Sequence, residues 1–497
     1  MKLYNSLTRS IEPFVPREPP TVTIYVCGPT VYDDPHLGHA RSAYVFDVLR
    51  RYLRYKQFHV RFVRNVTDVD DKIIERAKQE LAAGPTPQAA EGLSTTCREL
   101  AERYLKSYHA TMDRLGLARP DEEPRATEHV VPDMTDFISK LLIQGVAYEA
   151  QGDVYFSVRK CPGYGRLSNR ALDDLQAGAR VEPGEHKQDP LDFALWKAAK
   201  PGEPSWNSPW GQGRPGWHIE CSTMSTKHLG EAFDIHGGGV DLVFPHHENE
   251  IAQAQAAGKP FARFWVHNGL LTVNGEKMSK SLGNFVTVDE ALAGCEDVPD
   301  ILKMFFLGTH YRSPIDYTKD NLRAASKRFK DLLHLHLFAN SDPIVERCAV
   351  PTQLPQGLAQ LRREFELAMD DDLNTPKALA VLDRLANYGY QRVVELQMAD
   401  DIAHVTAQQL RGQVILARDT FVALGQHAFG VFHGFIPRRP GEPGSVPPAV
   451  KERVQRREIA RKRKDFQTAD RLRQEVEAQG FRIEDTPGGP AVLPTLR

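Results

Sequence analysis

The 497-residue chain is poor in features that would each mark a class of protein. It has only 6 cysteines, too few for the disulfide framework of a secreted scaffold. No uncharged apolar run reaches the roughly 18 residues that a membrane-spanning helix needs. Residues 1–16 carry charges and lack the apolar stretch of a signal peptide. These absences favour a protein of the reducing cytoplasm.

A strong net charge is also missing, because 63 basic residues face 65 acidic ones and leave a formal charge of −2. A nucleic-acid partner would therefore have to bind local basic patches. The Walker A pattern does not occur, and Gly237, Gly238 and Gly239 do not fit the dinucleotide fingerprint. If the chain binds phosphates, other residues must hold them. At this length we expect about three or four domains.

The first hundred residues predict a βαβ unit. Residues 21–28 and 59–66 alternate as strands do, and between them Tyr44, Val48 and Tyr52 belong to an apolar pattern at helical spacing. Such a unit implies a parallel sheet that binds its ligand at the carboxyl ends of the strands. Later segments predict a strand at 153–158, and a strand that ends at His236 and leads into a helix from about Asp241.

Three further patterns complete the prediction. Residues 273–276 have the sequence Val-Asn-Gly-Glu, which predicts a hairpin turn. The chain becomes helical after Tyr317, and Thr375 with Pro376 predicts the start of a helix. Beyond a stretch rich in Pro and Gly, residues 451–473 contain ten basic and four acidic residues.

Two short motifs point to chemistry on phosphates. His36 and His39 lie three residues apart at a predicted helix start, so they can face one ligand. Lys277 and Lys280 lie on the loop that the hairpin delivers. Alone, such a histidine pair is more often an ordinary surface feature, and Lys-Met-Ser-Lys is usually a solvated turn. In this order, they resemble the HIGH and KMSKS motifs of class I aminoacyl-tRNA synthetases, with Leu37 replacing Ile.

A second constellation consists of Cys27, Cys221, His246 and Glu250, whose sulfur, nitrogen and carboxylate groups are zinc ligands. The last two are four residues apart, so a helix would place them on one face. Spacing alone cannot choose between His246, His247, Glu248 and Glu250. It also leaves open that Cys27 is a small buried hydrophobe and that the His-His-Glu-Asn-Glu run is a polar helix start.

Four segments resemble the cysteinyl-tRNA synthetase family. They are residues 25–33 (YVCGPTVYD), 64–72 (RNVTDVDDK), 216–222 (GWHIECS) and 234–250 (DIHGGGVDLVFPHHENE). The resemblance is dense over residues 25–72 and 216–284 and thinner over the rest of the chain. The C-terminus lacks the tryptophan often found at that end of the family, which concerns anticodon contact and not the reaction.

This resemblance implies roles for individual residues. Cys27, Cys221, His246 and Glu250 would bind one Zn²⁺, and the metal would bind the substrate thiolate. The cysteine pocket would include Thr67, Trp217 and Asp241. The ATP site would comprise His36, Gly38, His39, Lys277, Met278, Ser279 and Lys280, with His36, His39, Lys277 and Lys280 catalytic. Zinc makes chemical sense, because a cavity distinguishes cysteine from its isostere serine poorly, whereas zinc favours a thiolate.

The resemblance also implies the fold and its partners. We expect an α/β fold: a Rossmann-like nucleotide-binding catalytic domain split by an insertion, then an α-helical bundle and a small C-terminal basic domain. The expected segments are 1–121 and 214–270 (catalytic halves), 122–213 (insertion), 271–325 (KMSKS loop and junction), 326–436 (helical bundle), 437–448 (linker) and 449–497 (anticodon recognition). The expected partners are tRNA(Cys), ATP with Mg²⁺ and L-cysteine, without a membrane or an obligatory protein partner.

The basic segment is the expected tRNA contact. The candidate residues are Arg456, Arg457, Arg461, Lys462, Arg463 and Lys464. The plainer interpretation is a solvated helix face, which the interspersed acidic residues support.

Two rival functions stay open at this point. One is a cysteine ligase of mycothiol biosynthesis, which would share both motifs and the zinc site but should lack the basic C-terminal module. The other is a catalytically silent tRNA-binding paralogue, which would be free to lose His36, His39, Lys277 or Lys280. All four are present.

Overall fold

The computed structural model describes residues 1–83, 92–172, 186–278, 283–295, 298–340, 353–398, 404–433, 447–479, 481–486 and 489–494. The chain forms two compact units. The first comprises Met1–Leu322 and Met369–Thr375, and the second comprises Arg323–Ala368 and Pro376–Arg497.

The first unit mixes strands and helices. Its strands are β1 (Lys2–Asn5), β2 (Ser10–Pro13), β3 (Thr21–Val26), β4 (His59–Arg64), β5 (Ala147–Ala150), β6 (Asp153–Phe156), β7 (Phe193–Ala198), β8 (Trp206–Ser208), β9 (Gly211–Pro215), β10 (Ala232–Gly239), β11 (Phe261–Asn268), β12 (Leu271–Val273), β13 (Glu276–Lys277) and β14 (Ile315–Tyr317). Its helices are α1 (Leu37–Tyr55), α2 (Asp71–Ala83), α3 (Leu93–Arg114), α4 (Thr135–Ile143), α5 (Trp217–Leu229), α6 (Glu248–Ala256), α7 (Val288–Ala293) and α8 (Pro299–Leu307).

The central sheet is parallel and has the strand order β11-β10-β3-β4. Thr21 pairs with His59 and Val26 with Arg64, so the two strands of the predicted βαβ unit run side by side. The predicted crossover helix is confirmed as α1, and Tyr44, Val48 and Tyr52 are all buried. Segments that are far apart in the chain, β3 and β10, thereby become neighbours.

Between β4 and β10 the chain builds a separate antiparallel sheet with the order β5-β6-β7-β9-β8. The predicted strand at 153–158 is present as β6, two residues shorter. Phe156 and Trp196 of this sheet are fully buried and belong to one apolar cluster with Ile219 of α5. The shared core places α5 against the insertion sheet.

Two local predictions have different outcomes. The hairpin at 273–276 is confirmed, and Asn274 and Gly275 adopt the positive φ angles of 52° and 81° that such a turn needs. The helix predicted from about Asp241 is wrong in its start, because regular helix begins only at Glu248. Pro245 disfavours helical geometry at the residue before it, and Phe244 is extended at φ −138° and ψ 132°.

The second unit is mainly helical. Its helices are α9 (Lys319–Ala339), α10 (Gln356–Asp370), α11 (Thr375–Met398), α12 (His404–Leu424), α13 (Pro448–Lys462) and α14 (Phe466–Glu477), of which α9 to α11 have one end in the first unit. A β-hairpin follows, formed by β15 (Phe481–Thr486) and β16 (Gly489–Pro494). Val450, Val454, Val476 and Ile483 give α13, α14 and β15 a small core of their own. None of the helices in the described ranges is both long and apolar enough to cross a membrane.

Candidate active site and metal centre

The candidate site lies at the carboxyl edge of the central sheet. Cys27 follows β3 directly, and its amide donates a hydrogen bond to the carbonyl of Gly237 in β10 at 3.1 Å. His36, at the start of α1, follows the same strand. Because parallel strands bring their carboxyl ends to one edge of a sheet, residues distant in sequence meet here.

Gly28 lets the chain pass very close to the segment after β4. A Cβ atom added at Gly28 would lie 1.6 Å from the carbonyl oxygen of Asn65. The Gly28 amide donates to Asn65 Oδ1 at 2.9 Å, and Asn65 is buried. The approach requires a residue without a side chain, which explains the glycine after Cys27.

His36 and His39 cap the N-terminus of α1. His36 Nδ1 accepts a hydrogen bond from the Gly38 amide at 3.1 Å, and the His36 amide donates to His39 Nδ1 at 3.3 Å. Their rings stack with centroids 3.8 Å apart. Since both Nδ1 atoms accept, the proton of each neutral ring belongs on Nε2. Each imidazole can therefore donate one hydrogen bond to an anion.

Burial lowers the pKa of His36 to about 4. Burial also lowers the pKa of His39 to about 3, with further contributions from the charges of His36 and Lys72. Both imidazoles are consequently neutral near pH 7. They can act as hydrogen-bond donors to a phosphate without adding positive charge.

The four predicted metal ligands lie together. One ligand atom from each of Cys27, Cys221, His246 and Glu250 lies within 4.8 Å of the others. The two sulfur atoms are 3.6 Å apart, and His246 Nε2 is 3.1 Å from Glu250 Oε1. Cys221, His246 and Glu250 are all buried, so this is an interior cluster of donors.

These separations fit a tetrahedral zinc ion. Zinc–ligand distances of about 2.3 Å for sulfur and 2.0–2.1 Å for nitrogen or oxygen imply ligand spacings of about 3.8 Å and 3.3 Å respectively. Within the described part of the chain, Glu250 Oε2 is buried and makes no hydrogen bond of acceptable geometry, although His236 Nε2 lies 3.3 Å from it. A buried carboxylate oxygen left in this way is costly without a cation, so the residues fit a metal.

Two more histidines lie beside this cluster. Cys27 Sγ is 3.6 Å from His236 Nε2 and 3.3 Å from His247 Nε2. These two histidines form a second, overlapping donor set with Cys27 and Glu250. His247 was one of the open alternatives in the sequence, whereas His236 was missed. The sequence showed only that His236 ends a predicted strand; the pairing of β10 with β3, which sets His236 opposite Tyr25, is what brings it beside Cys27.

Glu248, the remaining alternative, belongs to neither donor set. Its carboxylate accepts hydrogen bonds from the amides of Leu167 at 3.3 Å and Ser168 at 2.7 Å. It therefore holds a loop of the insertion. His247 is held in turn by His267, whose Nε2 lies 2.8 Å from His247 Nδ1 and whose own Nδ1 lies 2.7 Å from Ser6 Oγ.

A cavity of about 620 Å³ has Cys27, His36 and His39 in its wall. Three cationic side chains absent from the predicted set, Arg41, Arg64 and Lys72, line it as well. The sequence could have indicated Lys72, because this residue lies in the first turn of α2, the helix that follows β4 at the carboxyl edge of the sheet. Neutral imidazole donors and cations in one wall suit a polyphosphate.

The predicted cysteine-pocket residues occupy two different settings. Trp217 and Asp241 line the cavity, and the Trp217 ring stacks on His246 with centroids 4.1 Å apart. Thr67 is buried and is not one of the residues that line the cavity, and its hydroxyl donates to Glu220 Oε2 at 2.9 Å. Burial raises the pKa of Glu220 well above its ordinary value.

The KMSKS segment is described only in part. Lys277 is exposed at the end of β13, and Met278 lines the cavity near Gly38. Ser279 and Lys280 lie outside the described residues. Beyond them the chain returns to α1, where the Leu37 amide donates to Val286 at 3.1 Å. The Phe285 ring packs edge-on against His36 with centroids 5.3 Å apart.

The predicted tRNA contacts lie at the end of α13 and just beyond it. Arg456, Arg461, Lys462, Arg463 and Lys464 are exposed. The Arg457 side chain is only 4% exposed and pairs with Glu458 at 2.6 Å. Its burial favours a structural role, which leaves phosphate contact as a prediction for the five exposed residues.

Comparison with known families gives two matches. Residues 13–327 match the family described as "tRNA synthetases class I (C) catalytic domain", and residues 364–388 match the "DALR domain". The first match contains every residue discussed above in the cavity and the metal cluster.

Curated relatives match along the whole length. The chain is 47% identical to "Cysteine--tRNA ligase" of Persephonella marina, covering 98% of each chain. It is 48% identical to the enzyme of the same name from Oleidesulfovibrio alaskensis, covering 99% of each. Among solved structures, a Mycobacterium tuberculosis methionyl-tRNA synthetase with methionyl-adenylate matches at a TM-score of 0.64 and 16% identity. That match covers 83% of this chain and 92% of that structure and concerns the fold alone.

Proposed function

The chain belongs to the class I aminoacyl-tRNA synthetases, in the family of cysteine–tRNA ligases, and from this membership we propose that it joins L-cysteine to tRNA(Cys). The reaction has two steps. Cysteine and ATP give cysteinyl-adenylate and pyrophosphate, and the 3′-terminal ribose of the tRNA then takes the acyl group and releases AMP. The proposal rests above all on the sulfur-containing donor cluster that shares Cys27 with a cavity lined by His36 and His39.

We assign the first step to the wall of the cavity. Attack of the substrate carboxylate on the α-phosphate builds negative charge at phosphorus. His36 and His39 are already oriented by their caps and donate hydrogen bonds from Nε2 to the phosphate oxygens. Lys277 and Lys280 supply positive charge to the phosphates, and Arg64 and Lys72 add to it. Donors that are fixed beforehand stabilise such charge without solvent reorganisation. ATP would enter with Mg²⁺.

Selection of cysteine is assigned to the donor cluster. Cys27, Cys221, His246 and Glu250 would hold one Zn²⁺, with His236 and His247 as the alternative nitrogen donors. When bound, zinc supplies a soft Lewis acid that favours a thiolate over a hydroxyl. Trp217 keeps the His246 ring in place by stacking. Asp241 offers a carboxylate for the substrate ammonium group, and Thr67 supports the floor through Glu220.

Binding of the tRNA for the transfer step is assigned to the second unit and its basic C-terminal segment. Arg456, Arg461, Lys462, Arg463 and Lys464 present exposed positive charge that suits tRNA phosphates. Phosphate contacts position a nucleic acid and weaken with rising salt. The setting we propose is the cytoplasm, where tRNA is charged.

Charging of a tRNA pool by the purified protein, with the amino acid identified, tests the function. We expect cysteine on tRNA(Cys) and cysteine-dependent pyrophosphate exchange, with serine a very poor substitute. Exchange with cysteine but no charging of any tRNA would indicate another acceptor, such as the amino-sugar of the mycothiol pathway. Absence of both activities would indicate a silent paralogue and contradict the proposal.

A further inference from the structure

We propose that His129 and His228 form a second site for a borderline divalent metal ion, separate from the Cys27 cluster. The two histidines, together with Glu122 and Asp133, are here called the paired-histidine site. His129 ends the short turn Ala126–His129, and His228 lies in the last turn of α5. The proposal does not depend on the function assigned above.

The two imidazoles face each other through the same ring atom. His129 Nε2 and His228 Nε2 are 3.3 Å apart. Their rings are nearly perpendicular, at 87°, with centroids 5.1 Å apart. His129 is buried and His228 is partly exposed, so the meeting point of the two atoms lies close to solvent.

Each ring is held from behind by a carboxylate. His129 Nδ1 is 2.8 Å from Asp133 Oδ2, and His228 Nδ1 is 2.5 Å from Glu122 Oε2. Although burial raises the pKa of both carboxyl groups, the bonded imidazoles and the neighbouring cations hold each pKa below its ordinary value. Both carboxylates are therefore ionised near pH 7 and can only accept hydrogen bonds.

This arrangement fixes the protons of both rings. Because each Nδ1 faces an acceptor, each Nδ1 carries the proton of a neutral imidazole. The two Nε2 atoms then point lone pairs at each other across 3.3 Å. That contact is repulsive unless a cation lies between the rings, and a shared proton or a metal ion could serve.

The dimensions fit a metal ion. Metal–nitrogen distances of about 2.0–2.1 Å place two tetrahedral imidazole ligands about 3.3 Å apart between nitrogen atoms. The observed separation of His129 and His228 is 3.3 Å. A carboxylate behind each ligating histidine is the usual second layer of a protein metal site, where it sets the tautomer and raises the basicity of the ligand. Imidazole pairs suit Zn²⁺, Ni²⁺ and Cu²⁺.

The carboxylates behind the two rings are already paired with basic side chains, so an added metal ion would be held by the two Nε2 atoms rather than by local negative charge. Arg61 donates to Glu122 Oε1 at 2.6 Å, and Lys227 pairs with Asp133. Each carboxylate thus already has a basic partner, and two further metal positions would be left for water. Seven residues along α5 separate His228 from Cys221, which is about 10 Å of helix. The two sites can therefore be loaded independently.

Nickel binding to the zinc-loaded full-length protein tests the proposal. NiCl₂ is titrated by calorimetry at pH 7.5, and bound nickel and zinc are counted by elemental analysis after gel filtration. We expect one nickel per chain in addition to the zinc, with a rise in Tm. His228→Gln and His129→Gln should each abolish the nickel and the rise in Tm, while zinc content and pyrophosphate exchange stay at the wild-type level. Glu122→Gln should weaken nickel binding about 10–100-fold.

His109→Gln is the matched control. His109 Nε2 also bonds a carboxylate, Glu123 at 2.7 Å, but the ring beside it is that of Tyr108 and not a second imidazole. This variant should bind nickel as the wild type does. Copper bound in place of nickel should show two nitrogen couplings by electron paramagnetic resonance, and one in either paired-histidine variant.

Two results would overturn the proposal. One is equal nickel uptake by the wild type and both paired-histidine variants. The other is absence of nickel uptake by the wild type, combined with a histidine NMR titration in which the pair shares one proton. The second result would identify a hydrogen-bonded imidazole pair that serves only to join α5 to residues 126–133.

Discussion

The catalytic cavity and the basic C-terminal segment both present polar groups to a phosphate ligand, but by opposite physical means. In the cavity, His36 and His39 are capped, stacked and half-buried. On the basic segment, the charged side chains of Lys462 and Lys464 are exposed to solvent. Groups held by capping and stacking act through fixed geometry, so each one should matter greatly. Exposed charges act through a summed, salt-sensitive field, so each one should matter little.

The largest effect should come from the donor cluster. Cys221→Ala removes one of two thiols, and we expect zinc content to fall together with a loss of more than about 100-fold in cysteine-dependent pyrophosphate exchange, because even outer partners of metal ligands cost 10–100-fold. Cys97→Ala is the control, since Cys97 is buried in a separate apolar cluster. Elemental analysis and exchange rates measure the two effects. A Cys221→Ala protein with full zinc and wild-type exchange would refute the assigned ligand.

The next effect should come from the phosphate donors. His39→Asn removes the Nε2 donor, and we expect turnover in pyrophosphate exchange to fall about 100-fold, as deletion of one preorganised donor does, with little change in KM for cysteine. His59→Asn, at an exposed histidine, should leave both constants unchanged. Steady-state kinetics of pyrophosphate exchange measures the turnover number and the KM for cysteine separately. A change confined to KM would mean that His39 binds substrate without acting on the transition state.

Removal of the whole basic segment tests the other side of the comparison. A chain that ends at Ser445 should keep pyrophosphate exchange, because the first unit has its own core. It should lose about 10-fold or more in tRNA charging and show a shallower dependence on salt, because phosphate contacts release counterions. Both activities are measured side by side from low to high salt. Equal charging by the two chains would show that the segment is only a solvated helix face.

The two regions should also differ in their response to pH. The pKa of His39 is lowered to about 3, whereas that of an unfolded histidine is about 6.5. Between these values the unfolded chain binds the proton and the folded chain does not, so stability is present above pH 6.5 and is lost as pH falls towards 3. We expect Tm to fall from pH 7 to pH 5, and less steeply in His39→Asn.

The truncated chain provides the contrast for this measurement. Residues 447–479 contain no histidine, so the chain that ends at Ser445 should keep the pH dependence of the first unit. A His39→Asn slope identical to that of the wild type would mean that His39 does not carry a lowered pKa.

The smallest effect should come from a single exposed charge. Lys462→Gln should lower charging about twofold and reduce the slope of log affinity against log salt by about 0.7, the value for one phosphate contact on single-stranded nucleic acid. Arg457→Gln should instead lower stability, because its buried guanidinium pairs with Glu458. Filter binding of tRNA and thermal unfolding distinguish the two variants. A large effect of Lys462→Gln on pyrophosphate exchange would contradict the expectation that an exposed charge acts only on tRNA binding.

Local chemistry in the sequence was sufficient for several features. The alternation around β3 and β4, the spacing within α1 and the Asn-Gly turn at 274–275 each depend on neighbouring residues only, and all three appear in the structure. The short motifs, taken together in their order along the chain, also predicted the family, which the comparisons show. The start of α6 was missed because the effect of one proline, Pro245, outweighed the polar helix-start signal around it.

Only the tertiary structure decided which side chains meet. The pairing of β10 with β3 brings His236 within 3.6 Å of Cys27 across more than two hundred residues, and the loop at Ser168 draws Glu248 away from the donors. Contacts between other separate segments set His129 against His228 and, within the second unit, bury Arg457. The identity of the reacting groups is already present in the residues themselves. Local periodicity carries no information on which of them meet, because burial and distance arise from strand order and from packing between distant segments.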